Sequence, residues 1–526
     1  MKHVVIVGGG VAGLGAAYKI RRAADAGHDV TFTLVEKDDR LGGKLFTQRV
    51  EDEARGGHFV VDGGSDSFLT DKPAVHRVAR QLGIYEDETG TLEENKKTFI
   101  VKRGKLIEMP DGIMMFAPTK IIPMATTSLY SWPAKFRMAL DLVIPRRKVA
   151  NGQRNDESLE SFVVRRMGRE CLVRLAEPLV GGVNGSDPAD MSLAATYPNL
   201  LDMEQKYGSL VKGFLAQKKA MEARRALHPP KPGAKPYSFF SSFRPGLQHL
   251  TDRMADAAGR EHIHTGVAAT RVTRGEGDTW SVELDSGQSI TADAVIVASE
   301  AFATEPLLRG VDDRIADLVG QIPCSSSATI LMGFDEADCP FDLHWHGALS
   351  PAVEHEPVTG MSLMSSKWPG RAPAGRVLLR GFVGGARDQT IIERSDEELI
   401  EVARAAFVKL LGVKDAAQPV FARVFRWVGG MPQYTMGHLD RVDEIEARCA
   451  AIGGLALAGG AYRGVGVPNC LDSGEVAVTK VLGDFGIRLA EDAEKPVSAT
   501  GTTTGTAAGT AAGTATGTAT GSTPRG

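Results

Sequence analysis

The chain has 526 residues, of which 43% are hydrophobic and 24% are charged, a composition that is ordinary for a large soluble globular protein. The formal net charge of −4 supplies no basic surplus, which argues against nucleic acid as a partner. The length predicts two or three domains.

The five cysteines are scattered, and they show neither C-x-x-C pairs nor the histidine spacing of a zinc site, so the sequence predicts no metal centre. The first residues lack the basic region and cleavage site of a signal peptide. We expect a cytoplasmic protein with reduced thiols at Cys171, Cys324, Cys339, Cys449 and Cys470.

The first predicted element is an apolar strand at residues 4–7, buried on both faces because polar residues do not alternate along it. Gly8, Gly10 and Gly13 follow in a G-x-G-x-x-G pattern and lead into a helix at residues 11–24. The pattern allows a sharp turn, a close approach of backbone to a pyrophosphate and a tight helix–strand contact. It predicts a dinucleotide at the positive end of the helix.

The second strand reads "DVTFTLVE" and ends in Glu36, whose carboxylate can accept hydrogen bonds from a ribose 2′-hydroxyl. Glycine pairs then recur in "RLGGK" at residues 40–44 and in "VVDGGSDSF" at residues 60–68. Repeated glycines suit a backbone that is pressed against a longer, extended ligand. This arrangement resembles the FAD proteins of the amine oxidase and porphyrinogen oxidase superfamily.

Residues 113–145 form the most apolar stretch outside these motifs, but prolines and basic residues keep every run short of the ~20 residues that span a bilayer. Three interpretations stay open: packing in a helical subdomain, the lining of an apolar substrate cavity, or an interfacial surface.

The middle of the chain alternates between helical and β-rich patterns. Residues 157–193 and 247–258 read as helical, with Asp156 and Ser158 as candidate N-caps for the first of them. Residues 263–272 and 280–299 return to short β-rich runs, and Asp285-Ser286-Gly287 predicts a hairpin turn. The cofactor domain is therefore predicted to be discontinuous.

Near the C-terminus, residues 455–482 repeat the order of buried strand, glycine-rich loop and helix, with Pro468 in the first helical turn. Such a helix would direct its positive end at the loop, where it would stabilise a reduced, anionic flavin. Both ends of the chain are predicted to build one FAD site. The tail, residues 498–526, is almost wholly Thr, Ala and Gly, and we expect it to be disordered.

The whole pattern resembles the oxygen-dependent porphyrinogen oxidases of haem synthesis, the coproporphyrinogen III and protoporphyrinogen IX oxidase family. The segments that carry the resemblance are "VVIVGGGVAGLGAAY", "RLGGK", "DGGSDSFLTDKP", "SLESFVVRRMGRECLVRLAEPLVGGVNGSDPADMSLAATYPNL", "SSFRPGLQHL", "FVGGARDQ", "RWVGGMPQYTMGH" and "LALAGGAYRGVGVPNCLDSG". "DSFLTDKP" is closer to the coproporphyrinogen-oxidising branch, so coproporphyrinogen III ranks first and protoporphyrinogen IX second.

The resemblance implies a six-electron oxidation in which hydride passes to flavin N5, oxygen is the acceptor and hydrogen peroxide is the product. It names no catalytic base. A transient contact with a ferrochelatase and a peripheral membrane contact are further partners that it allows. The positions that match the family's FAD contacts are Gly8, Gly9, Gly10, Val11, Ala12, Gly13, Glu36, Lys37, Gly42, Gly43, Lys44, Gly64, Ser65, Asp66, Ser67, Val267, Trp427, Gly460, Val465, Gly466 and Val467. Val267 is implied through its backbone, beside adenine.

Four propionates on coproporphyrinogen call for basic residues near the pocket mouth. Lys72 is the first candidate by position, and Arg426 and Arg463 are the others. Gly63 stands where many relatives carry an arginine, so carboxylate binding at that point is not carried over.

The predicted fold class is α/β, α+β overall, with a Rossmann-type FAD domain, a mixed-sheet substrate domain and a helical subdomain. The FAD domain takes residues 1–92, 241–310 and 450–490. The substrate domain takes 93–112, 225–240 and 311–449, and the helical subdomain takes 113–224. Two other functions stay open: a flavin amine oxidase on the same fold, and a non-catalytic FAD-bearing partner protein.

Overall fold

The structure is a computed structural model that describes residues 1–181, 185–227 and 238–489. The tail predicted at 498–526 lies outside the described residues.

A five-stranded parallel sheet forms the centre of the dinucleotide-binding region. Its strands, in spatial order, are Ile263–Thr265, Val30–Glu36, Lys2–Val7, Ala294–Val297 and Leu455–Leu457. Val5 lies between Thr33 and Val295, so the first strand is flanked on both sides. Segments that are distant in the chain thus share one sheet, as the discontinuous pattern predicted.

Alternate residues of the first strand face opposite layers of the sheet. Val4 and Ile6 pack in the core of the helices Val11–Asp25, Gln248–Ala258 and Val467–Asp484. Val5 and Val7 pack in a second core on the other face. Both faces are covered, which is why this strand is apolar throughout. The elements that supply the second core are Ala301–Leu308, Asp313–Gly320, His438–Ile452 and the three-stranded antiparallel sheet Ala269–Arg274, Trp280–Leu284, Ser289–Ala292.

Two of those helices come from the segment 311–449 that was predicted as substrate domain. Asp313–Gly320 and His438–Ile452 bury Ile315 and Val442 against the parallel sheet. Their packing favours grouping them with the dinucleotide-binding region, and the domain division itself stays a prediction.

A seven-stranded mixed sheet forms the other large layer. Its strands, in spatial order, are Phe421–Pro432, Cys324–Asp335, Arg376–Gly384, Gly360–Leu363, Gly347–Leu349, Thr98–Lys102 and Lys105–Glu108. Gly347–Leu349 runs parallel to Thr98–Lys102, and the other neighbours are antiparallel. The helix Asp396–Ala406 and the π-helical turn Phe407–Leu411 cover one face through Leu399, Ala403 and Phe407.

A helical region follows in the chain. Its elements are Ile121–Thr126, Trp132–Ala139, Leu159–Arg166, Arg169–Cys171, the π-helix Leu172–Gly181, Leu193–Thr196, Pro198–Tyr207 and Leu210–Leu227. A buried ion cluster ties it together: Arg166 lies 2.5 Å from Asp141 and 3.3 Å from Glu204. Removing Arg166 would leave the buried carboxylate of Asp141 without the cation it pairs with.

The helix predicted at 157–193 is interrupted in the structure. Ser158 caps the helix Leu159–Arg166 by accepting from the Ser161 amide. Asp156 is not the cap, because its carboxylate accepts hydrogen bonds from Ser192 Oγ and the Ala194 amide at 2.6 and 2.9 Å. Gly168 then takes a φ of 95° and breaks the helix.

The predicted hairpin is confirmed: Trp280–Leu284 pairs with Ser289–Ala292 across the turn at Asp285-Ser286-Gly287. Smaller elements complete the fold. They are the strands Thr47–Glu51, His58–Asp62, Phe68–Leu69, Glu88–Gly90, Ile113–Met114, Ala117–Pro118 and Phe240–Phe243, the helices Pro73–Gln81 and Met364–Lys367, and the 3₁₀ turns Tyr85–Asp87, Glu93–Asn95, Leu140–Leu142, Arg260–His262, Glu336–Asp338, Ala352–Glu354, Gly385–Arg387 and Thr390–Glu393. Within the described ranges, no helix has the length and apolar character to cross a bilayer.

Candidate functional site

The N-terminal glycine loop leaves room above the first helix. A Cβ at Gly8 would stand 2.8 Å from the carbonyl oxygen of Ala298, and one at Gly13 would stand 1.8 Å from that of Gly8. Packing alone therefore demands these two glycines. Gly10, the N-cap of Val11–Asp25, has open space around its missing Cβ, and its cap position carries no competing side chain. A helix start that no side chain caps is suited to an anionic ligand.

Glu36 and Val267, both predicted as FAD contacts, are joined at the end of the second strand. The Glu36 carboxylate accepts hydrogen bonds from the Gly9 amide at 2.5 Å and from the Asp38 amide at 2.9 Å. The Val267 amide donates to the Glu36 carbonyl at 2.9 Å, while Lys37 is solvent-exposed, 3.6 Å from Asp38. A carboxylate fixed beside the glycine loop is suited to hold a ribose.

The two later glycine pairs lie next to this loop and to each other. The Gly42 amide donates to the Gly9 carbonyl at 2.9 Å, and the Ser65 amide donates to the Lys44 carbonyl at 3.2 Å. A Cβ at Gly64 would stand 1.9 Å from the same Lys44 oxygen. The Lys44 ammonium lies 2.6 Å from Glu300. Three segments of backbone are thus brought side by side, as an extended ligand would require.

The C-terminal glycine loop reaches the same place. Gly466 is the N-cap of Val467–Asp484, and Pro468 lies in its first turn, as predicted. This helix packs so closely on Val11–Asp25 that a Cβ at Gly474 would stand 2.0 Å from the carbonyl oxygen of Ala12. The N-termini of the first and last helices therefore converge, each capped by a glycine that leaves its amides available.

The sequence matches the family described as flavin containing amine oxidoreductase over residues 11–482. The chain belongs to this family. It is accordingly an oxidoreductase, and FAD is its cofactor, which the glycine-lined groove between the two helix N-termini fits.

Two named relatives in this family align with nearly the whole chain. The chain is 31% identical over 487 residues to a coproporphyrinogen III oxidase of Bacillus subtilis (strain 168), covering 91% of this chain and 98% of the relative. It is 32% identical over 530 residues to a coproporphyrinogen III oxidase of Propionibacterium freudenreichii subsp. freudenreichii, covering 95% and 94%. The predicted resemblance to the porphyrinogen oxidases is confirmed.

Solved structures agree with the fold class predicted from the sequence. A protein of Exiguobacterium sp. 255-15, provisionally named a protoporphyrinogen oxidase, superposes with a TM-score of 0.79 at 28% identity, covering 92% of this chain and 99% of that one. Cyclohexylamine oxidase of Brevibacterium oxydans IH-35A shares the fold alone, with a TM-score of 0.61 at 16% identity over 92% and 100% of the two chains.

In this flavin oxidoreductase, the segment 63–67 lies against one face of the mixed sheet. The Trp427 indole donates to the Gly63 carbonyl at 3.1 Å, and the Arg380 guanidinium donates to the Gly64 carbonyl. A Cβ at Gly63 would stand 2.6 Å from the Phe425 ring, so an arginine cannot be placed there without moving that ring. This contact explains the departure noted at Gly63.

Asp66, predicted as an FAD contact, instead has its carboxylate committed to the protein. It accepts hydrogen bonds from Lys367 at 2.7 Å and from the Trp368 indole at 3.0 Å, and Arg380 lies 4.0 Å away. Burial would raise the pKa of Asp66, but the charges of Lys367 and Arg380 outweigh it and hold that pKa well below its usual value. The carboxylate therefore remains ionised and bound by the protein, and a contact between Asp66 and FAD stays a prediction.

Sequence reasoning missed Lys367, Trp368 and Arg380, which fix this segment from the sheet side. Lys367 is 301 positions from Asp66 in the chain, and no local motif links them. Arg380 is nearly fully buried, and burial lowers the pKa of its guanidinium while Asp66 and Asp62 act in the opposite direction. Ser67 is joined to the same group through a 3.0 Å hydrogen bond to Asp66.

Lys72, the first of the three basic substrate candidates, reaches the helix that follows the C-terminal loop. Its ammonium donates to Asn469 Oδ1, in the first turn of Val467–Asp484, at 2.9 Å. Burial lowers the pKa of this ammonium, and Asp71 and Asp472 act in the opposite direction. Lys72 is half-buried rather than a solvated surface charge.

The two arginines are placed differently. Arg426 donates to the carbonyls of Ile392 at 2.8 Å and Arg394 at 2.6 Å and pairs with Asp396, on the face of the sheet opposite Trp427. Arg463 pairs with Asp443 at 2.6 Å and Glu446 at 2.8 Å, and these carboxylates raise the pKa of its guanidinium. The structure commits both guanidinium groups to the protein and does not bring them to Lys72.

Proposed function

We propose that this chain oxidises coproporphyrinogen III to coproporphyrin III with oxygen as acceptor and hydrogen peroxide as product, within haem biosynthesis. The observation that carries the proposal is the end-to-end match to two coproporphyrinogen III oxidases, which leaves neither chain with a large unmatched part. The site contributes a groove for FAD and a half-buried cation beside it.

When bound, FAD supplies a hydride acceptor at N5 and passes electrons to oxygen. The protein binds this cofactor and orients it. The amides at the start of Val11–Asp25 hold the pyrophosphate, and Glu36 holds the ribose. The segment 63–67, held by Trp427 and Arg380, supports the ring system. The amides that begin Val467–Asp484 stabilise negative charge on the reduced ring.

Lys72 is the proposed partner of a substrate propionate. The structure gives its ammonium a neutral amide oxygen as hydrogen-bond acceptor, so its charge is not cancelled by that contact. By contrast, Lys367 and Arg380 share the carboxylate of Asp66. A charge-assisted contact to a carboxylate would therefore cost less at Lys72 than at those two residues.

Two alternatives remain within the family. Protoporphyrinogen IX is the second candidate substrate, since the chain is also 26% identical over 498 residues to protoporphyrinogen oxidase 2 of Arabidopsis thaliana, covering 91% of this chain and 94% of the relative.

The other alternative, an amine oxidase, would require aromatic rings facing the flavin. Tyr462, the aromatic residue of the C-terminal loop, is buried in the core with Val5 and Val297, which does not favour that reading.

The experiment is an aerobic assay of the purified holoprotein with both porphyrinogens, followed by porphyrin fluorescence and peroxide release. A rate with coproporphyrinogen III at least tenfold above that with protoporphyrinogen IX supports the proposal, and the reverse ratio supports the alternative. Peroxide release with putrescine or cyclohexylamine alone would indicate an amine oxidase. Bound FAD without oxygen consumption would indicate the non-catalytic partner.

Part of the apolar stretch 113–145 is exposed and supports the proposal of peripheral contact with an anionic membrane surface. Ile121 and Phe136 are 87% and 70% exposed, Trp132 and Val143 are exposed as well, and the rings of Trp132 and Phe136 lie 6.3 Å apart. Residues 113–148 contain six basic residues, of which Lys120 is paired with Asp111, and one acid, Asp141, which is buried. An apolar ridge with basic neighbours complements anionic lipid.

Other residues of the same stretch, such as Met115, Phe116 and Met138, are buried in the helical core, so packing accounts for them. Co-sedimentation with vesicles of phosphatidylglycerol and of phosphatidylcholine tests the ridge. Binding to the anionic vesicles, lost in Phe136→Ser, supports the proposal. If the protein binds a ferrochelatase but no vesicles, these exposed residues would be assigned to a protein partner and not to a membrane.

A further inference from the structure

The Tyr434 hydroxyl bridges two backbone groups of the C-terminal glycine loop. Its hydroxyl donates a hydrogen bond to the Gly460 carbonyl and accepts one from the Gly464 amide, both at 2.6 Å. The Tyr434 side chain is buried, so neither bond competes with solvent. Gly464 has a φ of 148°, and such a segment has little conformational preference of its own. The two hydrogen bonds of the Tyr434 hydroxyl therefore restrict the backbone conformation of this glycine-rich loop.

His438 completes the contact. Its imidazole stacks on the Tyr434 ring with the centroids 4.0 Å apart and the planes at 14°, and its Nε2 lies 2.7 Å from the Tyr462 carbonyl. Burial, with the charges of Arg441 and Arg463, lowers the pKa of His438 to about 4, so the ring is neutral at pH 7. A neutral ring that faces a carbonyl must carry its proton on Nε2, which makes His438 the donor.

The backbone around Tyr434 is tied to the helical region. The Ser192 amide donates to the Tyr434 carbonyl at 2.8 Å, and the Met436 amide donates to the Asp190 carbonyl at 3.0 Å. Thr435 forms an antiparallel bridge with Met191. One short segment therefore contacts the helical region through its backbone and the glycine loop through its side chains.

We propose that Tyr434 and His438 are positioning residues that hold the loop 460–466 against FAD and couple it to the helical region. The inference rests on the proposed assignment of this loop as a flavin contact. The loop leads directly into Val467–Asp484, whose first amides stabilise negative charge on the reduced ring. A loop that drifts by a fraction of an ångström misaligns these amides, which weakens FAD binding and disfavours the reduced cofactor.

The test compares Tyr434→Phe with Tyr130→Phe. Tyr130 is as deeply buried but lies in the core of the helical region, so its variant controls for the loss of a buried hydroxyl. Losing both bonds at Tyr434 is expected to weaken FAD binding about tenfold. The two-electron midpoint potential is expected to fall by about 30 mV, the equivalent of a tenfold change in the reduction equilibrium. Tyr130→Phe stays within twofold of the wild type.

Three outcomes are informative. A Tyr434→Phe protein whose FAD affinity and potential match those of Tyr130→Phe overturns the inference. If Tyr434→Phe does not fold, His438→Gln, which retains a donor but loses the stacked ring, must weaken FAD binding at least threefold, and an unchanged affinity overturns the inference equally. Failure of the wild-type protein to bind FAD would instead overturn the proposed function, so the two failures are distinguishable.

Discussion

Gly474 lies directly against Ala12, in helices that come from opposite ends of the chain. A Cβ at Gly474 would stand 2.0 Å from the Ala12 carbonyl oxygen, a backbone atom that cannot rotate away. The two helices share one buried core with Leu14 and Val478. Their close approach is what brings both N-termini to one groove.

Gly474→Val is expected to destabilise the protein by about 3 kcal/mol, because an overpacked backbone contact forces the helices apart. Thermal unfolding of the holoprotein measures the effect. Gly483→Ala is the matched control in the same helix, since open space surrounds the Cβ of residue 483. It is expected to be neutral or stabilising by up to about 1 kcal/mol. Equal melting temperatures for both variants would contradict the packing argument.

Glu36→Ala is expected to weaken FAD binding by about tenfold to a hundredfold, since a carboxylate that also orders the Gly9 amide is lost. Titration of the apoprotein with FAD, followed by quenching of flavin fluorescence, measures the affinity. Glu51→Ala removes an exposed carboxylate that pairs with Arg49 and serves as the control. An affinity for Glu36→Ala equal to that of Glu51→Ala would exclude a ribose contact.

Lys72→Met is expected to raise the KM for coproporphyrinogen about tenfold and to change kcat by less than threefold, because binding rather than chemistry is lost. Arg426→Gln should leave KM within twofold, since this guanidinium faces the helix Asp396–Ala406. Steady-state kinetics with substrate concentration varied across KM distinguish the two. Equal changes in KM for the two variants would contradict a direct contact between Lys72 and a substrate propionate.

His438 predicts a pH dependence of stability. Its pKa is about 4 in the folded protein and 6.5 as its ordinary value, so the unfolded chain takes up the proton first as the pH falls. Its effect on stability is absent at pH 7 and grows between pH 6.5 and 4, costing about 3 kcal/mol at the acid end. The positive charges of Arg441 and Arg463 also lower the pKa of this ring and so oppose its protonation.

Urea unfolding at several pH values compares the wild type with His438→Gln. The free energy of unfolding of the wild type should fall more steeply between pH 6.5 and 4, and the difference between the two proteins should isolate this ring. Parallel curves would mean that His438 is accessible to protons in the folded state.

Much of the cofactor groove could be predicted from the sequence because its parts are local. Gly8, Gly10 and Gly13 have fixed spacing, Glu36 ends a readable strand, and Pro468 marks a helix start. The same holds for the hairpin turn at Asp285-Ser286-Gly287. Each of these depends on a few neighbouring residues.

The contacts that hold segment 63–67 and Lys72 could not be predicted in the same way, because they join distant segments. Asp66 meets Lys367 and Arg380 across about 300 positions, and Lys72 meets Asn469 across 397. The placement of Arg426 is the exception. It neighbours Trp427 in one strand, and the two-residue period already puts the two side chains on opposite faces.

The central claim is that both ends of the chain hold one FAD that oxidises a reduced tetrapyrrole. Aerobic turnover of coproporphyrinogen III by the purified, yellow holoprotein, with peroxide and porphyrin both quantified, tests it most directly. The account predicts three molecules of hydrogen peroxide for each coproporphyrin III. A protein that stays colourless with added FAD, or a yellow protein that releases no peroxide with either porphyrinogen, would contradict it.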